Sequence, residues 1–154
     1  MSPLIRWSNM DTFAFNCELE DARIVEAIRE AETRSSGEIR VFVSDDVVED
    51  PVAAARVQFE RTGMHATAER NGVLIFVAPR SRNFAIVGDD GVHARCGQSF
   101  WTDVADAMAR HFALDHPTEA IVLGIRKAGK LLSSHFPCRP DDRNELPNEV
   151  IRGG

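Results

Sequence analysis

The 154 residues, 44% of them hydrophobic, suffice for one ordinary domain with a real core and exclude a disordered chain. Acidic residues outnumber basic ones, 24 to 18, for a formal charge of −6, which argues against a nucleic-acid or anionic-membrane surface built on clustered Lys and Arg and favours solubility and cation binding. The three cysteines, Cys17, Cys96 and Cys138, are odd in number and widely spaced, with no CxxC, so they read as free thiols of a reducing compartment rather than a disulfide framework or a zinc site.

Residues 1–16 are mixed and aperiodic and read as an irregular N-terminal arm, without the apolar core of a secretory signal. From Glu18, apolar residues fall at helical spacing (Leu19, Ile24, Ala27, Ile28, Ala31), while Glu20, Asp21, Arg23, Glu26, Arg29 and Glu30 take the other face. This predicts an amphipathic helix, ended by the "SSG" of Ser35, Ser36 and Gly37. "EIRVFV" then alternates, with β-branched Ile39, Val41 and Val43 on one face of a strand. "EDPVAAARVQFERTG" predicts a second helix with Asp50 as N-cap, Pro51 at the first helical position and Gly63 after the last turn.

"NGVLIFVAP" is apolar on both faces, as expected of a central strand covered on both sides. At seven residues, "GVLIFVA" is far short of the about 20 a bilayer requires, so no transmembrane segment and a cytoplasmic location are expected. "RSRN" is too short for a parallel crossover, so "FAIVG" returns as a hairpin strand. A third helix is marked by Trp101, Val104, Ala105, Met108 and Phe112. "ALDHP" breaks it, and Pro117 opens a fourth with Ile121, Ile125, Ala128 and Leu132 as its apolar face. Gly124 and Gly129 inside that helix cost about 1 kcal/mol each against Ala, which close packing would explain. After Pro137, residues 138–154 are polar, proline-broken and read as an extended tail. The order αβαββαα, with a right-handed crossover between the first two strands and an antiparallel third, predicts an α/β/α sandwich around a small mixed sheet.

This topology brings the end of the third strand, "GDDG" with Asp89 and Asp90, to the end of the sheet where the first strand begins at Glu38. Three carboxylates flanked by glycine offer the oxygen ligands that Ca²⁺ or Mg²⁺ prefers, and no thiolate or imidazole cluster competes. The other reading is a solvated turn and helix cap, for which Asp-Gly is common. Asp45 and Asp46 in "SDDVVEDP" form a second, weaker pair at the opposite end, where open α/β sheets bind ligands, or simply a loop leading to a capped helix. His93 is either an acid or base beside Asp90 or a surface histidine; no histidine pair has metal-ligand spacing. GxSxG, Walker A and GxGxxG are absent, and Cys96 lacks the arginine six residues on that a cysteine phosphatase needs. Arg80 and Arg82 can hold an anion or be merely solvated.

"AIREAETRSSGEIRVFV", "ERNGVLIFVAPRSRNFAIVGDDGV", "FW" and "LLSSHFP", in this order, resemble the TPM domain, also called the TLP18.3/Psb32/MOLO-1 family, across residues 17–137. "NELPNEV" resembles the ending of a soluble bacterial branch. The resemblance implies an α/β/α sandwich, with Asp89 and Asp90 as its acidic cluster. It also implies divalent-cation binding, weak acid phosphatase activity as in a plant photosystem-repair protein, or modulation of a membrane protein complex. No nucleophile and no acid–base pair is evident, so a cation-binding interaction module is the expectation, and a weak metal-dependent acid phosphatase acting on phosphomonoesters is the alternative.

Overall fold

The structure, a computed structural model, describes residues 5–6, 11–67, 69–137 and 150–153. Its centre is a five-stranded sheet of β1 (Ile5–Arg6), β2 (Glu38–Ser44), β3 (Gly72–Ala78), β4 (Asn83–Gly88) and β5 (Val150–Gly153), in the order β1-β4-β3-β2-β5. β2 and β3 are parallel, and β3 and β4 are antiparallel. Both β2 and β3 are buried along their whole length, as the two-sided apolar run of β3 requires. The antiparallel turn is a short 3₁₀ segment, Pro79–Ser81, closed by Arg82 at φ +53°.

Alternation divides the core between two faces. Ile39, Val41, Val43, Val73, Ile75 and Val77 meet α2 (Asp21–Glu32), α5 (Gln98–Ala113) and α6 (Pro117–His135). Phe42, Leu74 and Phe76 meet Ala55 and Phe59 of α3 (Pro51–Arg61) on the other face. The α/β/α layering expected from the sequence is therefore present. Asp50 caps α3 by accepting the Ala53 N–H at 3.1 Å, and Gly63 takes φ +76° after its end.

α2 and α6 lie side by side and parallel. At one end Thr118 Oγ1 accepts the Glu20 N–H (3.0 Å); at the other, the Ser36 N–H donates to Phe136 O (2.8 Å). Between these points a Cβ on Gly129 would stand 2.7 Å from the Ala31 Cβ, and one on Gly124 would stand 2.6 Å from Met108 Sδ. The two helix glycines are thus explained by close approach to α2 and α5.

The chain ends differ from expectation. The supposed irregular arm, residues 1–16, holds β1 (Ile5–Arg6), paired with β4, and the start of α1 (Thr12–Glu18), capped by Asp11. The helix expected from Glu18 begins at Asp21, because Leu19 and Glu20 turn the chain between α1 and α2. An unforeseen short helix, α4 (Asp90–Cys96), precedes α5. Within the supposed extended tail, residues 138–154, β5 (Val150–Gly153) adds a parallel strand beside the second half of β2. Cys138 lies outside the described residues; Cys17 and Cys96 carry free thiols. Among the described residues no helix is long and apolar enough to cross a membrane.

Candidate functional site

The β3–β4 hairpin builds the site. Its register, Val73 opposite Gly88, continues beyond the strands: the Asp89 N–H donates to Gly72 O (3.0 Å) and the Gly91 N–H to Arg70 O (2.9 Å). "GDDG" is therefore pinned against "ERNG". Gly91 is required there, since a Cβ would lie 2.5 Å from the carbonyl oxygens of both Glu69 and Arg70.

The two aspartates have unlike environments. Asp89 is 5% exposed and N-caps α4. Its Oδ1 accepts the Asp90 N–H at 2.7 Å, and its Oδ2 accepts Arg70 Nε–H at 2.9 Å. Asp90's side chain is 95% exposed, with Arg70 Nη2 4.0 Å from its carboxylate. Arg70 adopts φ +53°, which turns its backbone back toward Gly91 while its side chain reaches Asp89. Beside this turn lies an open cleft of about 220 Å³ lined by Arg56, Glu60, His65, Arg70, Asp89 and Asp90. Next to Arg70 in the chain, Glu69 Oε2 accepts from Ser36 Oγ (2.6 Å) and Asn71 Nδ2 (3.3 Å).

His93 sits on α4 with its Nδ1 accepting the Trp101 Nε1–H at 3.2 Å, so the neutral ring carries its proton on Nε2. Partial burial, then the positive charge of Arg56, hold this histidine below its usual range against the opposing pull of Asp90. Trp101 is fully buried.

Glu38 does not join the aspartates. It pairs with Gly72, whose carbonyl receives Asp89, so two strand spacings, about 10 Å, separate their backbones. Its buried side chain meets Glu32 instead. Burial, then the hydrogen bond and charge of Glu38, push the Glu32 carboxyl up to about 9. Asp45 and Asp46 are exposed at the far end of β2 and engage through their backbones: the Asp45 N–H donates to Gly153 O, and the Asp46 N–H to Ser44 Oγ. Among the described residues no three His, Cys, Asp or Glu side chains are grouped to hold a metal. Around Gly91 stand the Glu69 and Arg70 carbonyls, and Asp90 beside it carries an exposed carboxylate; these are oxygen donors of the kind a hard cation takes together with water. Arg70, Arg56 and Glu69 were not singled out from sequence. Continuing the hairpin register three residues past Val73 and Gly88 would have put Arg70 opposite Gly91.

The family model of the TPM domain matches residues 15–131. The NMR structure of BA42 protein from the psychrophilic bacterium Bizionia argentinensis is similar, with 35% identity, a TM-score of 0.81 and coverage of 95% of this chain and 97% of that one. The N-terminal domain of a protein from P. gingivalis shares the fold at 18% identity and a TM-score of 0.59, over 77% of this chain and 78% of that one. No curated protein matches the chain.

Proposed function

This chain belongs to the TPM domain family, and we propose that it is a divalent-cation-binding interaction module whose ion, Ca²⁺ or Mg²⁺, is held at the "GDDG" turn. The reading rests on one observation: the exposed Asp90 carboxylate stands in a turn where Gly91 admits two main-chain carbonyls. Asp90 supplies the charge, the Glu69 and Arg70 carbonyls and water supply neutral oxygens, and Asp89 contributes only where Arg70 releases it. Its partner is a protein, with a membrane protein complex the first choice from the family. The widely spaced thiols suit a cytoplasmic setting.

Binding to the folded state alone raises stability by mass action, about 2.7 kcal/mol at a hundredfold excess over Kd. The melting temperature should therefore rise in millimolar CaCl₂ or MgCl₂, and Asp90→Asn should abolish the rise. An unmoved native melting temperature would refute the reading.

A weak metal-dependent acid phosphatase is the second reading. It is favoured by Arg56, His65 and Arg70 sharing the cleft with Asp90, since cationic groups stabilise phosphoryl oxygens. Hydrolysis of a phosphomonoester that requires added Mg²⁺ or Ca²⁺ and disappears in Asp90→Asn would support it. The same rate in EDTA would exclude it.

A further inference from the structure

On the opposite side of α2 from the sheet edge, and independent of the cation reading, an open groove of about 500 Å³ runs between α2 and α6. Its floor is Ala27, Ala31 and Gly129, and the close approach of Gly129 to Ala31 keeps it shallow. Its rim carries Arg34 from the turn after α2 and Arg126 and Lys130 from α6, against a single acid, Glu30. All three cations are exposed, and among the described residues none makes an ion pair, in a protein whose net charge is −6. Glu119 on α6 acts on Arg126 through space, but it is engaged by Arg23, and a concentration of positive charge on an acidic molecule selects its partner by charge. The spacing adds shape. Arg126 and Lys130 are one helical turn apart on one wall, and the groove extends over two turns, about 10 Å.

We propose that this groove docks an acidic helical segment of a partner protein, whose carboxylates, also one turn apart, pair with Arg126 and Lys130 while small side chains lie on the alanine and glycine floor. Arg34 on the facing wall sets the segment's direction by meeting a further carboxylate. The helix-in-groove mode needs no rearrangement of α2 or α6, because both are fixed at either end by the hydrogen bonds at Thr118 and Phe136.

The test uses the full chain, ¹⁵N-labelled, and a synthetic helix-forming Ala-rich peptide with Glu at i and i+4, capped at both termini. Saturable amide shifts centred on Ala31, Gly129 and Ser133, weakening as salt is added, are expected. The same peptide with Gln for Glu should not bind. The R126E/K130E variant should lose about tenfold or more in affinity while keeping its spectrum and melting temperature, since both side chains are exposed; R61E, on α3, should bind as the native protein does. No binding, equal binding of the Gln peptide, or an unchanged affinity in R126E/K130E would overturn the proposal. So would binding of phosphatidylcholine–phosphatidylglycerol vesicles without binding of the peptide, which would make the groove a lipid surface. The segment 138–149 of this chain carries Asp141, Asp142, Glu145 and Glu149. If converting these four to their amides moves the groove amides and the peptide then binds only that variant, the groove's occupant is intramolecular and the proposal fails.

Discussion

Asp89 spends one carboxylate oxygen on the first turn of α4 and the other on Arg70. Asp89→Ala removes both bonds from a buried position and leaves Arg70 only the longer contact to exposed Asp90, so it should cost about 1–3 kcal/mol in urea melts. Asp90→Asn alters only a solvated carboxylate and should stay within about 0.5 kcal/mol. Equal costs would mean that the two environments are alike. Asp90 is consequently the cleaner probe of cation binding, because its substitution leaves the turn intact. Glu32 is one residue through which pH acts on the fold. Its folded value of about 9 lies far above the ordinary carboxyl value of about 4.3. Between these values the folded protein keeps a proton that the unfolded chain has released. The contribution is complete below the unfolded value, declines as pH rises through the window, and levels off above the folded value. Glu32→Gln retains a donor toward Glu38 but cannot ionise. It should flatten that decline and be more stable than the native protein at pH 8 by about 1–2 kcal/mol, allowing for the group's partial exposure. Urea melts between pH 5 and pH 9 measure this, and an unchanged slope would show that Glu32 ionises normally in the fold.

At the level of elements, legibility tracked the strength of periodicity. Trp101, Val104, Met108 and Phe112 recur every turn, and the structure buries all four on the sheet. Trp101→Ala should therefore cost about 3–5 kcal/mol, and a loss under 1 kcal/mol would mean that the indole contributes no packing. α4 offered no such signal, since Val92 is the one residue it buries. In α1 the alternation of Phe13 and Phe15 imitates a strand, and only Phe15 reaches the core; the local clue was Asp11, whose carboxylate accepts the Ala14 N–H at 2.8 Å. β5 is a strand because β2 has a free edge, a partner more than a hundred residues away that no local pattern near Val150 records. The site was readable to the same degree. The sheet end of Glu38, Asp89 and Asp90 followed from strand directions, but the strand between them, and the turn of Glu38 toward Glu32, are tertiary facts. Arg70 escaped notice because a lone arginine in a loop looks solvated until the hairpin register is carried past its strands.

Across the whole molecule, stability should grade outward from β3. Its amides have strands on both sides and helices above and below, so they should exchange with solvent only on global unfolding. β5 is held by four residue pairs and by Arg152, whose Nη2 meets Asp21 Oδ1 at 2.6 Å. Arg152→Ala should shift global stability by about 0–1 kcal/mol yet speed exchange at Val150–Gly153, which hydrogen exchange can resolve residue by residue. Protection in β5 equal to that in β3 would show that the sheet opens as one unit. The indole of Trp101 connects this gradient to the turn at its end. Its N–H is given to His93, and its ring lies so close over Gly88 that a methyl group there would overlap it. A tryptophan buried against the first residue of "GDDG" is a fluorophore set into the wall of the site. Any rearrangement of the turn changes the medium around the ring and the group its N–H touches. With Trp7 replaced by phenylalanine, the emission of this one residue would report the turn's state in dilute solution, without a label, and let an ion be titrated by colour alone.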